Sequence, residues 1–267
     1  MAVHATDDVD LFYTDEGAGR VALLLHGWAC DSHDWSWLIP DLLQQGLRVI
    51  ALDHRGHGRS TAPAGGYTPR QMAADAASLL DALAVSEALV VGHSMGTIVA
   101  SVLSIDRPDL VSGLVLVDPV YNRPDENLAP VVELVRQDDP RPGVAAVFRN
   151  AFYTSGAPAW LMMWHERRVL GTAAHVVRDS FLGLYESEDA LGRSGIALEY
   201  LRGRKAPRLA VYASEELTWL ERRLPFAPGD EIAVIEGGHW LHQERASEFS
   251  ERLQEWLERT GDHSAPV

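Results

Sequence analysis

Short apolar runs alternate with amphipathic segments over the first 118 residues. Residues 9–14 and 21–25 predict a pair of strands joined at Asp15-Glu16-Gly17-Ala18-Gly19. Further strands are predicted over 47–52, at Val90-Val91 and over 113–117. Between them Thr68-Pro69 marks a helix start, a capping hydroxyl followed by proline at the first helical position. Met72, Ala73, Ala76, Leu79, Leu80 and Leu83 then share one face at helical spacing, which makes that face core. Strands alternating with helices specify a parallel sheet covered on both sides.

From residue 121 to about 205 the strand signals stop. Helices are predicted over 126–137, 159–170 and 175–184. The strand pattern returns at 209–213 and 232–235, and a closing helix is predicted over 246–259. The expected organisation is an α/β core from 1–120 and 206–260, a helical cap insertion from 121–205, and a disordered tail from 261–267. An insertion at that point would lie over the carboxyl edge of the sheet, where open α/β sheets bind ligands.

Composition adds exclusions. The chain of 267 residues is 46% apolar and 23% charged, which suits a globular core. Its clean apolar runs, such as residues 21–25, are too short to cross a bilayer, and the acidic first residues do not read as a signal peptide. Cys30 is the sole cysteine, so neither an internal disulfide nor a thiolate metal cage is expected, and a cytoplasmic location is the default. A formal charge of −15, from 38 acids against 23 bases, argues against nucleic acid and favours solubility. The expected partner is a small-molecule substrate, with no membrane, for a monomer or homodimer.

The chemistry centres on Gly92-His93-Ser94-Met95-Gly96, between the apolar run at 88–91 and a helical segment. A G-x-S-x-G in that setting is a nucleophile elbow: the sharp turn strains the serine backbone and the glycines keep β-carbons out of it. A serine needs a base. His239 supplies one, following an apolar strand and Gly237-Gly238, whereas His242 is expected on the surface. For the acid, Asp118 ends one strand and Glu216 follows another; Asp118 is preferred and Glu216 is the alternative. The oxyanion donors are expected to be the amides of Met95 and Trp28.

These pieces resemble the α/β-hydrolase superfamily. His26-Gly27-Trp28, Asp53-His54-Arg55-Gly56-His57-Gly58-Arg59-Ser60, the Ser94 elbow, Leu116-Val117-Asp118-Pro119 and Gly237-Gly238-His239 come in that family's order across residues 9–259. The resemblance implies a mostly parallel eight-stranded sheet, a helical cap and a serine-histidine-acid triad. Serine at the elbow separates the chain from haloalkane dehalogenases and epoxide hydrolases, which carry aspartate there. Ala213-Ser214-Glu215-Glu216 departs from the family's usual Gly-x-x-Asp. Branches with the acid at the position of Asp118 include lactonases and cofactor-free dioxygenases. The latter carry a second histidine where this chain has Met95.

The remaining residues read more plainly. His26, His54 and His57 are expected to brace the pocket floor rather than to hold a metal, and no phosphate-binding glycine loop is present. Trp160, Met163, Trp164 and Tyr153, with Phe152 and Met162, concentrate in the insertion; half are expected in its core and the rest in an apolar pocket, with Trp28 and Trp240 as further walls. Glu166, Arg167 and Arg168 are expected on solvated helix faces. The reading is a cofactor-free serine hydrolase acting on an ester or lactone of a hydrophobic, aromatic small molecule. The alternatives are a cofactor-independent dioxygenase of an N-heteroaromatic substrate and a ligand receptor on the same fold.

Overall fold

The computed structural model describes residues 2–121 and 125–260, so the tail at 261–267 lies outside the described residues. The strands are β1 (Ala2–Ala5), β2 (Asp10–Glu16), β3 (Val21–Leu25), β4 (Arg48–Leu52), β5 (Ala88–His93), β6 (Val111–Val117), β7 (Arg208–Tyr212) and β8 (Glu231–Val234). They form one sheet in the order β1-β2-β4-β3-β5-β6-β7-β8. Only the two pairings made by β2 are antiparallel. Helices α1 (Ile39–Gln44), α2 (Pro69–Ala82) and α3 (Met95–Asp106) connect the strands as far as β6. Between β6 and β7 come α4 (Asp125–Val135), α5 (Arg141–Ala151), α6 (Ala159–Gly171), α7 (Ala174–Tyr185) and α8 (Ser194–Tyr200). After β8 come α9 (Leu241–Glu244) and α10 (Ala246–Arg259).

The pleat sorts the strand residues into two cores. Leu23, Leu25, Val90, Leu114 and Leu116 pack with α2 and α3, while Ala22, Leu24, Leu89, Val91, Val115 and Val117 pack with α1 and α10. All five residues of β3 are buried, as a strand covered on both faces requires. Helix α2 starts where its cap predicts, with the Thr68 hydroxyl accepting the Gln71 N–H at 3.3 Å.

One sequence expectation is corrected. β2 and β3 are not neighbours, because β4 lies between them and pairs with both. The turn at Gly17–Gly19 carries the chain across the start of β4. A β-carbon on Gly17 would lie 2.7 Å from the Leu47 carbonyl oxygen, and one on Gly19 2.5 Å from that of Gly46. Both glycines have positive φ, 80° and 101°, so the turn that joins the two predicted strands serves a crossing. Strand β1 and helices α1, α5, α8 and α9 are not among the elements predicted from the sequence, although Val144, Ala145 and Phe148 of α5 do share one buried face.

Both ends of the inserted helices are tied to one buried carboxylate. Tyr121, where the insertion begins, donates its hydroxyl to Glu221 at 2.5 Å, and Arg204, where it ends, donates to the same carboxylate at 2.5 Å. Arg208 of β7 adds a third bond at 2.5 Å. Burial would raise the Glu221 carboxyl, but the Arg204 and Arg208 guanidiniums hold it below the ordinary range.

Candidate active site

Ser94 stands between β5 and α3 with φ 52° and ψ −117°, a conformation that L-residues rarely adopt. Its flanking glycines are required by space. A β-carbon on Gly92 would lie 2.3 Å from the Gly96 carbonyl oxygen, and one on Gly96 2.2 Å from that of Leu25. The turn thus presses against the end of β3 and lifts the serine side chain clear.

Three side chains from three connections meet there. His239 Nε2 lies 2.8 Å from Ser94 Oγ, and His239 Nδ1 lies 2.6 Å from Asp118 Oδ2. A carboxylate oxygen accepts, so Nδ1 carries the ring proton and Nε2 presents its lone pair to the serine hydroxyl. Asp118 follows β6 with φ 43°, and its second oxygen accepts the Ala213 N–H at 3.1 Å. Glu216 is exposed in the short turn after β7 and is not brought to His239.

The segment His26-Gly27-Trp28, after β3, packs on the elbow; a β-carbon on Gly27 would be 3.2 Å from Ser94 Cβ. Trp28, the next residue, lines the same cavity as Ser94, and Met95 opens α3 directly after the serine. His26 accepts the His54 N–H on Nε2 at 3.0 Å, so its Nδ1 carries hydrogen and donates to the Gly27 carbonyl at 2.7 Å. His26 is a strut between the β3 and β4 loops. Asp53 accepts the amides of Ser32 and Arg59 at 2.7 and 2.9 Å, so the Asp53 to Ser60 segment also shapes loops. Among the described residues, no group of acidic, histidine or cysteine side chains could hold a metal ion.

Burial holds several of these histidines neutral: His26 is pushed down to about 3, His57 to about 4 and His242 to about 3. In the unfolded chain each would take its proton near pH 6.5. The folded state therefore binds fewer protons below that pH, so stability is complete above about pH 6.5 and falls as the solution is acidified. Each residue contributes about 1.4 kcal/mol per pH unit until its folded pKa is reached. The urea midpoint of unfolding is expected to drop clearly between pH 7.5 and pH 5, and an unchanged midpoint would contradict it.

Above Ser94 lies a cavity of about 630 Å³ between the sheet edge and the inserted helices. Trp28, Phe148, Phe152, Phe181, Tyr185 and Trp240 give it aromatic walls, with Tyr153 also lining it. Three expected pocket residues lie elsewhere. Trp160, Met163 and Trp164 sit on the outer face of α6, 42%, 52% and 39% exposed, and the Trp160 and Trp164 rings pack on one another. The inward face of α6 is Leu161, His165 and Val169, spaced by four. Phe148, Phe181 and Tyr185 were missed; Phe181, Leu184 and Tyr185 do follow the i, i+3, i+4 spacing of a helix face.

Two further expectations are corrected. His242 is buried, not surface, because the short α9 turns it beneath the elbow, 4.6 Å from the His93 ring and 4.8 Å from that of Trp35. Arg168 is not solvated: it forms a close ion pair with buried Asp34. Burial would raise the Asp34 carboxyl, but Arg168 holds it well below the usual range. His165 Nε2 also stands 3.5 Å from Asp34.

Comparison with known proteins fits this geometry. The alpha/beta hydrolase fold family matches residues 21–162. A non-heme haloperoxidase of Rhodococcus erythropolis is 44% identical over 94 residues, 35% of this chain and 34% of that protein. Curated relatives at the head of the comparison are matched over about a third to a half of their own length. Solved structures match throughout: an N-acyl homoserine lactone degrading enzyme is 26% identical with a TM-score of 0.80, covering 95% of this chain and 99% of its own. A thermophilic esterase from Thermogutta terrifontis is 25% identical with a TM-score of 0.81, covering 96% of both chains. No helix among the described residues is long and apolar enough to cross a membrane. With the family matched over more than half of its length and the strand order, elbow and histidine loop in place, the chain belongs to the alpha/beta hydrolase fold family.

Proposed function

We propose that this protein is a serine hydrolase that cleaves an ester or lactone of a hydrophobic, aromatic small molecule. The observation that carries the reading is the hydrogen-bonded line Ser94–His239–Asp118 at the floor of an aromatic-walled cavity. The similarity to a lactone-degrading enzyme and to an esterase supports the same bond type.

Ser94 Oγ attacks the substrate carbonyl while His239 Nε2 takes its proton. Asp118 keeps the imidazole in the tautomer that can do so and steadies the imidazolium that forms. The Trp28 and Met95 amides donate to the oxyanion. As the tetrahedral intermediate collapses, His239 returns the proton to the leaving alkoxide, which departs or, in a lactone, stays tethered to the acyl group. Water then loses a proton to His239 and attacks the acyl carbon, and His239 passes that proton to Ser94 Oγ as the acid product leaves. The cavity suits an aromatic group: its volume lies within the range of small-molecule sites, and seven phenylalanine, tyrosine and tryptophan rings line it.

A panel of aryl esters and aromatic lactones, assayed without oxygen, tests this. Turnover is expected, with aromatic acyl groups preferred over acetyl. Failure to hydrolyse any member, or turnover that needs oxygen, would overturn it.

A further inference from the structure

The catalytic histidine is held from two sides, and one of them is the insertion. β8 ends at Val234, five residues before His239, so the sheet does not fix this loop. From below, His93 Nε2 donates to the His239 carbonyl at 2.9 Å. From above, the His239 N–H donates to the Phe152 carbonyl at 2.7 Å. Phe152 begins the link 152–158 between α5 and α6, and its ring lies 4.9 Å from that of His239.

The next two residues of this link, Tyr153 and Thr154, grip the same loop. Thr154 Oγ1 donates to Glu244 Oε2 at 2.7 Å, and Glu244 ends α9. Tyr153 stacks on Trp240 with centroids 5.2 Å apart, and its hydroxyl meets His165 Nδ1 at 2.7 Å. His165 lies on the same indole at 3.9 Å. Gly238 permits the approach: a β-carbon there would stand 2.6 Å from the Phe152 carbonyl oxygen and 2.9 Å from Tyr153 Cα.

We propose that residues 152–154 are a positioning element for His239, with Thr154 as its positioning side chain, so that closing the insertion over the pocket and aligning His239 on Ser94 are a single event. The proposal rests on the reading of His239 as the catalytic base. When α5 and α6 lift away, the His239 amide loses its acceptor and the loop follows the link. Ser94 is then without its base while the pocket stands open, and gains it when substrate is enclosed. Geometry matters at this scale because a proton transfer tolerates little displacement of the base.

The test compares wild type, Thr154→Val and Thr154→Ser by two readouts. One is the rate at which a small dialkyl fluorophosphate labels Ser94, a reaction that needs the base but little of the pocket. The other is the division between kcat and KM on the best ester of the panel. Thr154→Val is expected to slow labelling and lower kcat by about tenfold with KM little changed, since it deletes a hydrogen bond to a charged group. Thr154→Ser is expected to restore both. Tyr153→Phe, which removes only the hydroxyl bond to His165, is expected to act in the same direction and gives a second reading if the valine variant does not fold. Labelling of Thr154→Val at the wild-type rate, or a serine variant as slow as the valine one, would overturn the proposal. A wild-type protein that is never labelled would instead overturn the serine hydrolase reading beneath it.

Discussion

Asp118→Asn is expected to lower kcat by about 10⁴, equivalent to about 5.4 kcal/mol of transition-state stabilisation, with the fold intact. The reason lies in the two oxygens of this carboxylate. One accepts the Ala213 N–H at 3.1 Å, and the other faces His239 Nδ1 at 2.6 Å. In asparagine the carbonyl oxygen stays on the Ala213 amide, because only an oxygen can accept there. The NH₂ group then faces Nδ1, which must turn its lone pair to it and move the ring proton to Nε2. An imidazole protonated at Nε2 cannot take the Ser94 proton. Glu216→Gln is expected to change kcat by no more than a few-fold, since Glu216 is exposed and makes no bond to the histidine. Measuring kcat of both variants on one ester decides the acid, and the opposite pattern would assign it to Glu216.

Substituting Ser94 is expected to separate activity from stability. Ser94→Ala and Ser94→Gly should both lose about 10⁴- to 10⁶-fold in rate, because the nucleophile is gone. The two should differ in stability. A non-glycine residue at φ 52°, ψ −117° is strained, at a cost of about 1–3 kcal/mol. Glycine removes that strain but gains about 0.5–1 kcal/mol of freedom in the unfolded chain. Ser94→Gly should therefore be more stable than Ser94→Ala by about 1 kcal/mol, the difference between those two effects. Urea unfolding of the two variants measures it; a Ser94→Gly midpoint below that of Ser94→Ala would mean that the elbow stores no strain beyond the entropy cost of glycine.

The parts of the site legible in the sequence are those where local backbone chemistry demands particular residues. Gly92 and Gly96 are fixed by carbonyls closer than 2.4 Å to where their β-carbons would be, and so the elbow reads directly. His239 reads from an apolar strand and two glycines. The acid stayed divided between Asp118 and Glu216 because β6 and β7 are adjacent and parallel, so both residues leave the same sheet edge. What differs between them is the local turn, which places Asp118, at φ 43°, against His239 and leaves Glu216 exposed.

The cap was less legible, for a physical reason. In α6 the tryptophans and methionine lie outward, while the buried stripe includes His165, a residue whose burial depends on Asp34 and Arg168 from opposite sides of the contact. Apolar content marks which residues could be buried, not which face meets a partner distant in sequence. His242 was misplaced for the same cause: its neighbours Trp35 and His93 come from a short helical turn after β3 and from the end of β5, both distant in sequence. The β2–β3 error differs, since the glycine turn was recognised but the strand that passes under it could not be.

The most direct measurement is the mass of Ser94 during turnover. The protein is mixed with a nitrophenyl ester of an aromatic acid without oxygen, quenched in acid, digested and analysed by mass spectrometry. The acyl group is expected on the peptide that contains Ser94, with Ser94→Ala showing neither the adduct nor turnover. Sustained hydrolysis by Ser94→Ala would show that Ser94 is not the nucleophile and contradict the mechanism at its first step.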